Sequence, residues 1–189
     1  WEQTGGAVTH FCMAASTGGT IQGVGSYLKE RKPSVEVVLA DPDKSRLAGL
    51  LEEGRGLSKK GAETLAKVEA MIAETGGVRV EGAGKEALTD LMKPPATGKV
   101  FEFVDRAIAV NDFDAFDECR ATAATGLLVG GSAGLNLVAA KVVAAECATA
   151  APRLDGVTIV TLLCDHGIKY LSKIFDDDWM SANDTRTKQ

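Results

Sequence analysis

Where an apolar run gives way to a helix-patterned segment, the chain carries Ser16-Thr17-Gly18-Gly19-Thr20. Three hydroxyls flank two adjacent glycines, and that combination suits the holding of an oxyanion. Glycine lets backbone amides come close to a bound anion, and hydroxyls add donors. A helix starting just after the turn aims its unpaired N–H groups and partial positive charge at the same spot. The turn therefore reads as a phosphate cradle. It is not a P-loop, because no lysine follows the glycines, and it lacks G-x-G-x-x-G spacing. Two other readings stay open. A strand-to-helix turn uses glycine without any ligand. Asp41 also sits about twenty residues on, where a dinucleotide fold carries its ribose-binding acid, which would suit a nicotinamide domain.

Other reactive residue types are sparse. Cys12, Cys119, Cys147 and Cys164 lack CxxC spacing, and three of them sit in apolar runs, so they are expected to be buried, reduced thiols in a reducing compartment. Asp176-Asp177-Asp178 before Trp179 reads as a solvated stretch rather than a metal site. No metal is expected. The 21 Lys and Arg are scattered against 26 Asp and Glu, for a net charge of −5, which argues against a nucleic-acid partner.

The elements that must position the turn follow from patterning. With 45% hydrophobic content in 189 residues, the chain can build the core of a soluble domain. No apolar stretch is expected to reach the about 20 residues of a membrane helix. Trp1-Glu2-Gln3-Thr4-Gly5-Gly6 shows neither the basic region nor the apolar core of a targeting signal. A start at Trp1 without Met leads us to expect a trimmed N-terminus or part of a longer polypeptide. Apolar runs rich in Val and Ile predict strands over Ala7 to Ala15, Val35 to Ala40, Val78 to Glu81, Ala107 to Val110, Leu127 to Val129 and Val157 to Leu163. Helices are predicted over Ile21 to Arg31, Gly61 to Thr75 and Asn136 to Cys147, with another capped by Asn111. Alternating strands and helices imply an α/β fold in three layers, with a mostly parallel sheet covered on both faces. In such a sheet, ligands sit beyond the carboxyl ends of the strands, where Ser16 to Thr20 lies.

"AASTGGTIQGVGSYLKERKPSVEVVLADP" resembles the phosphate-loop segment of the pyridoxal-phosphate (PLP) enzymes of the cysteine synthase and cystathionine β-synthase family, whose loop reads G-T-G-G-T. Three further stretches follow in the family's order. "VRVEGAG" resembles its V-E-G-I-G loop, "GLLVGGSAGLNLVAA" its G-G-S-S/A-G helix start, and "VTLLCDHGIKYLSKIFDDDWM" its final strand and cofactor-ring turn. The wording of "LADP" and "LLCD-G" is similar to the second, fungal-type cysteine synthase group. The resemblance implies the fold of the tryptophan synthase β-subunit class (fold type II), incomplete at the N-terminus, with residues 1–189 forming the C-terminal part of one enzyme domain.

Residue by residue, the resemblance implies that Ser16, Thr17, Gly18, Gly19 and Thr20 bind the cofactor phosphate and that His166 stands where a serine meets the ring nitrogen. Gly82 and Gly84 would border the substrate side. Ser132 would start a helix near the pocket, although N-capping alone accounts for it. Ser16 replaces a glycine, so strain is expected if that position needs positive φ. The Schiff-base lysine segment N-P-x-x-S-x-K-D-R and the S-x-x-N-T substrate loop have no counterpart here, and Lys29, Lys85 and Lys169 match nothing catalytic. No catalytic residue is therefore assigned. The expected activity is replacement of the β-substituent of an activated serine by sulfide or another thiol. It would require a missing N-terminal half or another subunit, in an oligomer, and the chain alone would be inactive. Ser16, His166 and the missing lysine equally suit a catalytically dead homologue acting as a structural or interaction subunit.

Overall fold

The structure is a computed structural model that describes residues 1–150 and 155–186. Four parallel strands, β1 (His10–Ala14), β2 (Glu36–Pro42), β3 (Arg106–Val110) and β4 (Ile159–Thr161), form one sheet in the order β3-β2-β1-β4. Alternation along the strands divides the core. Phe11, Met13, Val37 and Leu39 point to one face, where they pack with Ile21 and Leu28 of α1 (Gly19–Arg31) and Leu47 and Leu51 of α2 (Leu47–Gly54). Cys12, Ala14, Val38 and Ala40 point to the other face. There they meet α4 (Asp112–Ala124) and α5 (Gly131–Ala150). Period-two strands with both faces buried give the three-layer α/β arrangement the patterning implies. The order reverses between β1 and β4, which makes their carboxyl ends the switch point of the sheet.

Several elements differ from expectation. Val78 to Glu81 is not a strand, because its amides take another acceptor: Arg79 and Val80 donate to the buried Asp112 carboxylate at 2.9 and 3.4 Å. Leu127 to Val129 contributes a single antiparallel bridge, Val129 to His166. The helix α2 has no counterpart in the expected elements, and α3 starts at Ser58 (Ser58–Thr75), before Gly61. Asn111 caps α4 as expected, its side chain accepting the Phe113 N–H at 2.9 Å. Ser132 does not cap α5, since it lies inside the helix. The acidic run is more than a solvated stretch. Asp176 accepts the Trp179 N–H at 2.7 Å and starts α6 (Asp177–Asn183), Asp177 pairs with Arg120, and Trp179 stacks on Phe113.

At 20 residues, α5 reaches the length and apolar composition of a membrane span, contrary to the expectation. Its first six residues, from Gly131 to Asn136, are buried, and the helix packs along all four strands. All four cysteines are free; Cys12 and Cys119 are buried, Cys147 is half-buried and Cys164 is exposed. Burial pushes the Cys12 and Cys119 thiols up to about 12, so both behave as core residues.

Asp41 is fully buried at the end of β2. Its Oδ2 accepts the Ala48 N–H at 2.9 Å, and Oδ1 has no partner among the described residues. It does not face the Ser16–Thr20 turn, which removes the ribose-binding role of the nicotinamide reading. Burial lifts its pKa to about 7. The same cause raises the nearby Asp43 and Asp112, and the buried Lys44 ammonium lies 3.6 Å from Asp112. An unfolded aspartate releases its proton near pH 4 (about 3.9), whereas native Asp41 holds it to about 7. Folding stability should therefore fall as pH rises through that window. Chemical denaturation of wild type and Asp41→Asn across it should show a flatter profile in the variant; parallel profiles would place the titration elsewhere.

Candidate functional site

The first turn of α1 grows directly out of β1. Gly18 is the residue before the helix, at φ 88°, with no side-chain cap, and the first turn carries no acidic residue. The left-handed conformation falls on Gly18 and not on Ser16, so the expected strain at Ser16 does not arise. A Cβ at Gly18 would also lie 2.6 Å from Met92 Cγ. Both backbone and packing require glycine there.

The peptide groups of the turn are fixed by their carbonyls. Gly84 N–H donates to the Ala15 carbonyl at 2.8 Å, and Thr89 Oγ1 donates to the Thr17 carbonyl at 2.6 Å. In a planar trans peptide the N–H points opposite the C=O. Anchoring those two carbonyls on the 84–89 segment thus turns the Ser16 and Gly18 N–H groups the other way. Among the described residues, the N–H groups from Ser16 to Ile21 donate to no group of the chain, and the first one inside the helix to be paired is Gln22. Ser16, Thr17, Gly18, Gly19 and Thr20 line a cavity of about 400 Å³, a volume suited to a small ligand.

The cavity lies at the switch point because β1 and β4 part there. Their pairing ends at Cys12 and Thr161. Beyond it the fully buried Asn136 of α5 spans the gap, Oδ1 accepting the Ala14 N–H at 2.7 Å and Nδ2 donating to the Leu162 carbonyl at 2.9 Å. The remaining wall is formed by Glu81 and Gly82 on one side and by Ser132, Cys164, Asp165, Lys169 and Tyr170 on the other. Gly82 is thus brought to the cavity. Gly84 is not; it supports the turn from behind through its bond to Ala15.

His166 is absent from the lining. It is exposed, and its Nδ1 accepts the Ile168 N–H at 3.2 Å, capping the short 3₁₀ helix Gly167–Tyr170. Its neighbour Asp165 faces the cavity instead. Asp165 Oδ2 accepts from the Tyr170 hydroxyl at 2.9 Å and from Lys169 Nζ at 3.0 Å, while Oδ1 is buried without a donor among the described residues. Burial and the adjacent carboxylate push the Tyr170 phenol up to about 12, so it remains a donor. Sequence reasoning passed over Asp165 and Tyr170 and took Lys169 to match nothing catalytic. The signal available was the i,i+4 spacing of Asp165 and Lys169, a separation at which side chains meet across one turn.

Fold and site together define an α/β protein with a turn of unpaired backbone amides beside a cavity at the switch point of an open parallel sheet. A family model described as "Pyridoxal-phosphate dependent enzyme" matches residues 1–165, and the chain belongs to that family. It is 34% identical over 188 residues to a cysteine synthase of Dictyostelium discoideum, covering 96% of this chain and 43% of that protein. It is 36% identical over 196 residues to "Cysteine synthase 2" of Neurospora crassa, covering 100% of this chain and 39% of that one. O-acetyl serine sulfhydrylase isoform 3 from Entamoeba histolytica superposes with a TM-score of 0.62 at 28% identity, over 92% of this chain and 42% of its own. The chain thus spans about two-fifths of the length of the curated relatives it matches.

Asn136→Ala would leave the Ala14 amide buried and unpaired, while the carbonyl of the exposed Leu162 would lose its donor. A buried polar group without a partner costs about 1–3 kcal/mol, so the variant should lose about 1–3 kcal/mol in chemical denaturation. A loss below about 0.5 kcal/mol, the range of an inert surface change, would show that β1 and β4 do not depend on this side chain.

Proposed function

We propose that this chain supplies the phosphate-holding part of a cysteine synthase-like active site, in which the β-substituent of an activated serine is replaced by sulfide or another thiol. One observation carries the reading: the consecutive N–H groups from Ser16 to Ile21 find no acceptor among the described residues, and the residues from Ser16 to Thr20 line one cavity. A phosphate monoester dianion has the charge and the acceptor oxygens to use them. The hydroxyls of Ser16, Thr17 and Thr20 stand beside those amides, so the residues present fit the phosphate of pyridoxal phosphate.

The cofactor, when bound, supplies an electron sink for chemistry next to the amino group of an amino acid. The residues of this chain hold and orient. The Ser16–Thr20 turn fixes the phosphate end through helix-terminus donors rather than an ammonium of its own. Gly82 forms the rim where the substrate side is expected, and Ser132 and Tyr170 place hydroxyls on the wall. In this reading the residues 1–189 correspond to the C-terminal part of the enzyme domain. The Schiff-base lysine and the substrate-carboxylate loop come from another segment or subunit, so this chain alone does not turn over substrate.

Pyridoxine 5′-phosphate has no aldehyde, so its binding requires no lysine. Calorimetry on the 189-residue chain should show it binding at least about tenfold more tightly than pyridoxine, since hydrogen bonds to a charged group contribute about 1.5–3 kcal/mol each. Gly18→Ala should bring the two affinities together. Equal affinities in the wild type would overturn the reading.

A further inference from the structure

We propose that a second cavity, between α4, the start of α5 and α6, binds a small carboxylate with an apolar, ring-sized body. The inference goes beyond the functional reading above and does not depend on it. The cavity measures about 190 Å³, and an apolar cavity of about 150 Å³ already takes a benzene-sized ring. Its apolar wall is made by Phe116 of α4, Tyr170, Ile174 and Trp179 of α6, while Arg79 and Gly131 supply polar groups. Phe116 and Trp179 meet edge to face with ring centres 6.0 Å apart, so the aromatic wall is packed in place.

Arg79 is the group that selects an anion. Its backbone N–H is held by the buried Asp112 carboxylate at 2.9 Å and its Nη1 donates to Asn183 Oδ1 at 3.2 Å, so the side chain is fixed at both ends. Arg106, Arg120 and Arg186 each pair with a carboxylate. Arg79 is half-buried, and among the described residues it has no carboxylate within ion-pair distance and no partner for Nη2. A cation drawn partly out of water without a counter-ion is unfavourable, and a carboxylate presented to the edge of the guanidinium removes that cost. Gly131 is a second, independent donor. It is the first residue of the 20-residue α5, it lines the same cavity, and its N–H donates to no group among the described residues. The positive end of that helix favours the same sign of charge.

One carboxylate does stand on this wall. Glu81 is paired with Lys173 at 2.6 Å, both side chains about half exposed, so it closes on an ammonium and not on Arg79. Glu81 and Tyr170 also line the cavity of the Ser16–Thr20 turn, which sets the two cavities side by side. The first offers hydroxyls and consecutive amides, the second a guanidinium and three aromatic residues. They suit different anions.

The test is the fluorescence of Trp179 in the 189-residue chain carrying Trp1→Phe, which leaves Trp179 as its only tryptophan. Phenylacetate should change the emission saturably and bind at least about tenfold more tightly than phenylacetamide, its neutral counterpart, the worth of one charge-assisted hydrogen bond. Arg79→Gln should bring the two affinities together, and Gly18→Ala should leave the preference intact. Equal affinities for phenylacetate and phenylacetamide, or no saturable change, overturn the inference. Tighter binding of phenethylamine than of phenylacetate overturns it too, by giving the cavity to a cation through Glu81. A preference lost in Gly18→Ala does the same, because it places the carboxylate at the Ser16–Thr20 turn. If Arg79→Gln does not fold, the affinities of the chain with Arg79 intact for the three compounds and the Gly18→Ala comparison still decide. None of these outcomes bears on the binding of pyridoxine 5′-phosphate, on which the functional reading stands or falls by itself.

Discussion

The site depends on one buried amide side chain. Asn136 takes the Ala14 N–H and gives to the Leu162 carbonyl, at 2.7 and 2.9 Å, where β1 and β4 cease to pair. Continued pairing would have carried the two strands onward together. By satisfying the last amide of one strand and the first free carbonyl beyond the other, Asn136 lets them diverge without an unpaired buried group. The divergence creates the cavity, and β1 then turns into α1 along its wall. The apolar helix that carries Asn136 is held against the sheet by Ala139 and Val143, so the bridging side chain stands on a rigid element.

From that opening, backbone polarity does the rest. The carbonyls of Ala15 and Thr17 are taken by Gly84 and Thr89, and the amides of the same peptide groups face away from those partners. The start of α1 adds its own unpaired N–H groups, with no acidic side chain in the first turn to oppose an anion. The irregular segment from residue 78 to 92 therefore buttresses the turn. Gly84 and Thr89 anchor its carbonyls, and Met92 packs where a Gly18 side chain would be. The buried start of that segment is secured by Asp112, which accepts both Arg79 and Val80.

Much of this was legible in the sequence because it depends on local rules. Gly18 and Gly19 after an apolar run, the continuous apolar run Val37 to Ala40 in β2, and Asn111 before an acidic first turn each express a short-range preference that the structure follows. Elements decided by distant partners were not legible. Val78 to Glu81 has strand composition, yet a carboxylate 32 or more positions away claims its amides. Leu127 to Val129 reaches the sheet region with only one bridge. Cys12 reveals its burial through its apolar neighbours, whereas Cys119, between Glu118 and Arg120, is buried and Cys164, in an apolar run, is exposed. Motif position pointed to His166 and chain direction to Asp165, because adjacent residues in extended backbone face opposite ways and only the fold decides which one meets the cavity.

The central claim is that the turn from Ser16 to Thr20 presents a cluster of free amides to one anion. Two-dimensional amide NMR of the chain titrated with inorganic phosphate tests it most directly. The account predicts saturable shifts concentrated in residues 16 to 21, with α3 unaffected. Shifts confined to the exposed lysines of α3 and its neighbours, or no saturable shift in the turn, would contradict it.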